Sequence, residues 1–136
     1  MSVVQELIST GEKGTISFGN HKLTEKAKRE DFEFGGNLYK VKTYNAMTKL
    51  ERDGMFVYES VPGTSVNHFH ATDSSVEFIV EGAEDVQITV GLFEDTEYEV
   101  FIDGNSVGKM MTGLSGKLNL SVEIADAGEV KVEIRK

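Results

Sequence analysis

The chain contains no cysteine and no tryptophan, and its 136 residues include a single proline. Without cysteine there is no disulfide framework, no thiolate nucleophile, and no thiolate-held zinc or iron–sulfur cluster. Long hydrophobic runs are also missing: no window approaches the ~20 apolar residues of a membrane-spanning helix. Positive charge is scarce as well. Fourteen Lys and Arg face 23 Asp and Glu, a formal charge of −9, and a phosphate backbone needs a basic surface. Nucleic acid and membrane are therefore not expected partners. The one basic cluster, Lys22, Lys26, Lys28 and Arg29, is interrupted by Glu25, Glu30 and Asp31, and mixed runs of this kind read as solvated turns. The first residues lack the basic and continuous apolar regions of a secretory signal, so the expected location is cytoplasmic.

What the chain does have is alternation. From Thr96 to Lys136 apolar residues fall at every second position: Tyr98, Val100, Ile102; Leu118, Leu120, Val122, Ile124; Val130, Val132, Ile134. A side-chain period of two buries one face of a strand and wets the other. Further strands read over Thr15 to Phe18, Phe32 to Phe34, Leu38 to Tyr44, Thr48 to Arg52, Met55 to Ser60, Val76 to Val80 and Val86 to Val90. Asp53-Gly54 between two such runs favours a tight I′ hairpin turn. Pro62-Gly63 suits a type II turn, with Pro presetting φ and Gly taking φ > 0. Ser2 to Thr10 reads instead as a short helix, with Ser2 as cap, Gln5 three residues on and Gly11 as stop. The expectation is one all-β domain over residues 1–136, an antiparallel β-sandwich of about ten strands with a short N-terminal helical segment over residues 1–11. A faint echo links Ser75-Val76-Glu77-Phe78 to Ser121-Val122-Glu123-Ile124, as two amphipathic hairpins would.

Chemistry-bearing patterns are few. In Asn67-His68-Phe69-His70 the two imidazoles fall on one face if the segment is extended, a spacing suited to zinc or copper. His68 and His70 are the candidate metal ligands, with Asp73 and Glu77 in reach to complete a shell. Acidic loops at Glu81, Glu84 and Asp85 and at Glu94 and Asp95 lack the spacing of a calcium loop. No hydrolase elbow, phosphate loop or dinucleotide fingerprint is present. No catalytic residue and no cofactor are assigned, and an enzyme is the less expected class. Phe93 and Phe101 fall on the outer face of their strands, and exposed aromatics mark a partner surface. They are the candidate interface for self-association.

The segments Gly14 to Asn20, Asp31 to Tyr44, Thr48 to Thr64 and Asp95 to Gly104 together resemble a family of small bacterial proteins often labelled endosialidase. Thr96 to Lys136 separately resembles the β-sandwich modules of polysaccharide-processing enzymes. The resemblance implies a carbohydrate-related role, as a glycan binder or glycan hydrolase. Well-known sialidases hold the substrate carboxylate with three arginines and use a Tyr nucleophile; the arginines here are Arg29, Arg52 and Arg135. No motif of those enzymes matches residue by residue, so no catalytic residue is carried over. The leading expectation is a non-catalytic binding or structural module that self-associates, with the carbohydrate role as the alternative.

Overall fold

A computed structural model describes residues 4–125 and 127–136. The described residues form thirteen strands. The first six are β1 (Ile8–Thr10), β2 (Ile16–Phe18), β3 (Ala27–Phe34), β4 (Asn37–Tyr44), β5 (Met47–Arg52) and β6 (Met55–Val61). Then come β7 (Ser65–Ala71), β8 (Ser75–Glu81), β9 (Val86–Gly91), β10 (Glu97–Ile102), β11 (Asn105–Met111), β12 (Lys117–Val122) and β13 (Glu129–Arg135). They build two antiparallel sheets. The first runs β1-β2-β7-β8-β13-β10-β11 and the second β12-β9-β6-β5-β4-β3. The expected all-β sandwich is what forms.

The inward residues of both sheets close one core. Phe18, Phe69 and Phe78 from the first sheet and Tyr58 from the second make a chain of ring contacts, with centroids 5.3 to 5.7 Å apart. Three of these four contacts are edge-on, the arrangement that sets the positive rim of one ring against the negative face of another. Val41, Leu50, Ile88, Val100, Val132 and Ile134 are wholly buried around them. The alternation thus decides which face of each strand joins the core, as a period of two requires.

Three strands exceed the expected ten, and each has a physical cause. The helix expected over Ser2 to Thr10 does not form in its described part. A turn closes from Leu7 N–H to the Val4 carbonyl, Leu7 takes φ 73°, and Ile8 to Thr10 pair with β2. A nine-residue helix is marginal on its own, whereas pairing buries Ile8 completely and satisfies the backbone. Its cap Ser2 lies outside the described residues. β7 covers the segment of His68 and His70, which carries no regular apolar alternation, and a bulge between Asn67 and His70 lets it pair with β8. β11 has no alternation to reveal it, because it is an edge strand exposed along nearly its whole length.

The Pro62-Gly63 turn also differs. The Val61–Pro62 bond is cis, and Gly63 does not take φ > 0. Glycine is needed there for close approach, since a Cβ would run into the Tyr44 carbonyl. Nor are the two echoing segments hairpins. β8 and β9 lie in different sheets, as do β12 and β13; β8 pairs with β13 and β9 with β12. Each segment arches from one sheet to the other, and the two arches pair with each other.

Candidate functional site

One end of the sandwich stays open as a cleft of about 440 Å³, within the roughly 300–1,000 Å³ range of small-molecule sites. Its floor comes from both sheets: Phe69 and Val76 from β7 and β8, Tyr98 from β10, and Val57 from β6. All four are buried. At the mouth stand Met55 and Phe93, 71% and 52% exposed. The polar groups of the rim include Arg52, Lys117 and Asp73.

Local sequence explains how these groups are held. Arg52 closes β5 just before the Asp53-Gly54 turn, where Asp53 and Gly54 take φ 51° and 80°. It is the register partner of buried Tyr39, so it takes the inward face of its sheet, at the open end. Lys117 begins β12 beside the cleft, but its side chain takes the outer face of the sheet, since Leu118 is buried, and its ammonium lies 4.5 Å from the centre of the Phe56 ring, a cation–π contact. Phe93 sits on an anchored loop. Its N–H donates to the Tyr98 hydroxyl at 3.2 Å, and its carbonyl accepts from buried Thr112 Oγ1 at 2.6 Å. Gly91 leaves room for the turn of chain beside the cleft, since a Cβ there would meet the Phe56 carbonyl at 2.5 Å. A glycine closing a strand signals such a backbone approach. That is the one sequence mark that points to this region.

The candidate interface aromatics are placed differently from each other. Phe101 keeps the expected outer face of β10, since Val100 is fully buried, and the Arg135 guanidinium covers its ring at 5.1 Å. Phe93 is not in a strand, because β9 ends at Gly91; the Lys136 ammonium lies 4.7 Å from its ring. Both rings therefore carry a basic side chain from the C-terminal end of the chain.

His68 and His70 flank buried Phe69 on β7. His68 is exposed with φ 57°, and its N–H donates to Ser17 Oγ at 3.2 Å. His70 faces Glu77 across β7 and β8, and its Nδ1 lies 3.3 Å from the Gly14 carbonyl. Among the described residues no three His, Cys, Asp or Glu side chains come together as a metal site. Asp73 and Glu77 do not complete such a group with the two histidines. The three arginines occupy three different strands, β3, β5 and β13.

The other end of the sandwich holds a polar cluster that the sequence does not announce. His21 Nδ1 and Ser65 Oγ share a hydrogen bond at 2.7 Å, and Glu81 is the register partner of Ser65. Serine, histidine and glutamate in this order resemble a nucleophile set, but Ser65 is fully buried and its Oγ also accepts the His21 amide at 3.3 Å. The arrangement pins the β2–β3 crossing to β7. Burial holds the His21 pKa below its usual 6.5, while the Glu81 charge acts to raise it and Lys22 to lower it. The Tyr58 hydroxyl is pushed above its usual value by complete burial, which outweighs the opposing effect of the Thr64 and Ser60 hydroxyls near it. Both residues do structural work there.

Compared with family models, curated proteins and solved structures, the chain matches none. Among the described residues no helix is long and apolar enough to cross a membrane.

Proposed function

We propose that the chain is a non-catalytic binding module of the bacterial cytoplasm that holds a small ligand in the open end of its sandwich and self-associates through the surface bearing Phe93 and Phe101. One observation carries the binding half: a cleft with an apolar floor from both sheets and polar residues, Arg52 and Asp73 among them, along its lining, the common form of a ligand site. The self-association half rests on the exposure of Phe93 and on the outward placement of Phe101. Nucleic acid and membrane have no part in this reading.

Amide chemical shifts recorded against a library of small amphipathic molecules test the binding half. Perturbations gathered at Phe93, Tyr98 and Lys117 are expected; perturbations only elsewhere, or none, overturn it. Sedimentation tests the association half, with Phe101→Asp expected to dissociate the oligomer, and a monomer at high concentration removes it.

A carbohydrate-related role is the second reading, favoured by the half-exposed Phe93 ring lining the same cleft as Thr72, Asp73 and Ser75. Ring faces with adjacent hydroxyl and carboxylate partners suit sugars. A glycan array and release of free sugar from polysialic acid separate it from the first reading. Silence in both assays ends it.

A further inference from the structure

We propose that two copies of this chain join by their β11 edges, which pair antiparallel about a two-fold axis near Met110 and continue the first sheet from one copy into the other. The proposal rests on the self-association reading and names the element that makes the contact. An edge strand presents a row of unpaired backbone groups that another extended chain can take up. The two sheets have four such edges, β1, β11, β12 and β3. Three of them offer a partner little. β1 has three residues, and β3 carries Lys28, Arg29, Glu30 and Asp31 with a bulge between Arg29 and Phe32. β12 turns only polar side chains, Lys117, Asn119 and Ser121, to solvent.

β11 differs from these. Val107 and Met111 are 53% and 67% exposed on it, and Leu114, just past its end, is 83% exposed. Phe93 is fastened to the same loop by the bond from Thr112 Oγ1 to its carbonyl, and Phe101 lies one strand in, on β10. Four of the seven exposed large apolar side chains among the described residues thus gather at this edge, and such a patch marks a protein interface. Charge selects a second copy as the occupant. The chain carries −9, so copies repel wherever acids meet. β11 has no acid, and its one charged residue, Lys109, is the register partner of Glu99 on β10. A strand pairs antiparallel with its own copy about a two-fold axis, so the residue on the axis faces itself. With Met110 there, Lys109 of each copy lies opposite Met111 of the other, and no like charges oppose. The same register sets Val107 of each copy against Gly113 of the other, next to Leu114, so the exposed apolar side chains at both ends of the run are covered.

Sedimentation of the whole chain over rising concentration should show a monomer–dimer equilibrium and no larger species, since an isologous contact closes. Val107→Lys places a charge in the joint and should weaken the dimer about 10-fold or more. The chain has no cysteine, so a single introduced one reports on the axis. Residues opposite each other in an antiparallel pair have Cα atoms about 4.5–5.5 Å apart, within disulfide reach. Met110→Cys should therefore oxidise to a covalent dimer, while Ser106→Cys, four positions from the axis, should not. Circular dichroism checks that each variant folds. Persistence of the dimer in Val107→Lys, failure of Met110→Cys to link, or growth beyond the dimer each overturns the β11 joint and leaves self-association standing. A monomer at every concentration removes both.

Discussion

The Tyr58 hydroxyl and Thr64 Oγ1 lie 2.8 Å apart in the interior of the sandwich, and Ser60 Oγ meets the same Thr64 oxygen at 2.8 Å. Thr48 Oγ1 extends the cluster, donating to the Thr64 carbonyl at 2.7 Å and contacting Thr43 Oγ1 at 2.8 Å. All five side chains are fully buried. Every buried side-chain polar atom among the described residues has a partner, so this network replaces the water it excludes. Thr64 stands at its centre, accepting or donating to two hydroxyls at once. Tyr58→Phe removes one bond and leaves Thr64 paired with Ser60, so a loss of about 1 kcal/mol is expected. Thr64→Val strands both Tyr58 and Ser60, at about 1–3 kcal/mol for each unsatisfied group. Urea denaturation should therefore rank Thr64→Val well below Tyr58→Phe. The reverse order would show that the network relaxes around Thr64.

His21 makes the stability of this end of the sandwich depend on pH. Its folded pKa lies below the 6.5 of the unfolded chain because burial penalises the imidazolium. Between those two values the unfolded state binds more protons than the folded one, so stability rises with pH across that window. The contribution is complete above 6.5 and is lost as pH falls from there through the lower folded value. His21→Gln should flatten this part of the profile. Glu81→Gln should steepen it, since the Glu81 charge acts to raise the His21 pKa. Thermal unfolding of the three proteins from neutral to mildly acid pH gives the measurement. Parallel profiles for wild type and His21→Gln would remove His21 as the cause.

How far the sequence reveals the fold depends on whether a signal is local. Leu118, Leu120 and Val122 announce their strand because alternation is a property of neighbours along the chain. The Asp53-Gly54 and Asp103-Gly104 turns are legible for the same reason, with φ near 50° and 80° at each pair. What those aspartates also do is not legible. Asp53 Oδ1 accepts the Leu38 amide on β4, and Asp103 Oδ1 accepts the Lys131 amide on β13, both at 2.9 Å. Such contacts join residues far apart in sequence. The cleft is hidden for the same reason: Arg52, Phe93 and Lys117 share no motif, and only the crossing of β9 and β12 beside β6 brings them to one end. β1 shows the limit of local reasoning, since its helical pattern lost to pairing with β2.

The paired arches give the last prediction. Asp85 precedes β9 and, through one oxygen, accepts the amides of Ile124 and Ala125 just past β12, at 2.9 and 3.0 Å. Val86 faces Val122 in the register of the same two strands. The first arch thus caps the open amides where the second arch leaves its sheet, and those amides have no strand partner to turn to. A carboxylate accepting two N–H groups is a strong acceptor, so Asp85→Ala should cost about 1–3 kcal/mol. Asp85→Asn keeps an oxygen in place and should cost less. Hydrogen exchange localises the effect: the Ile124 and Ala125 amides should lose protection in Asp85→Ala, while Leu118 and Leu120, inside the strand, should follow global stability alone. Unchanged exchange at Ile124 would mean that the turn after β12 is held by its own bond, from the Ala127 amide to the Ile124 carbonyl at 2.8 Å.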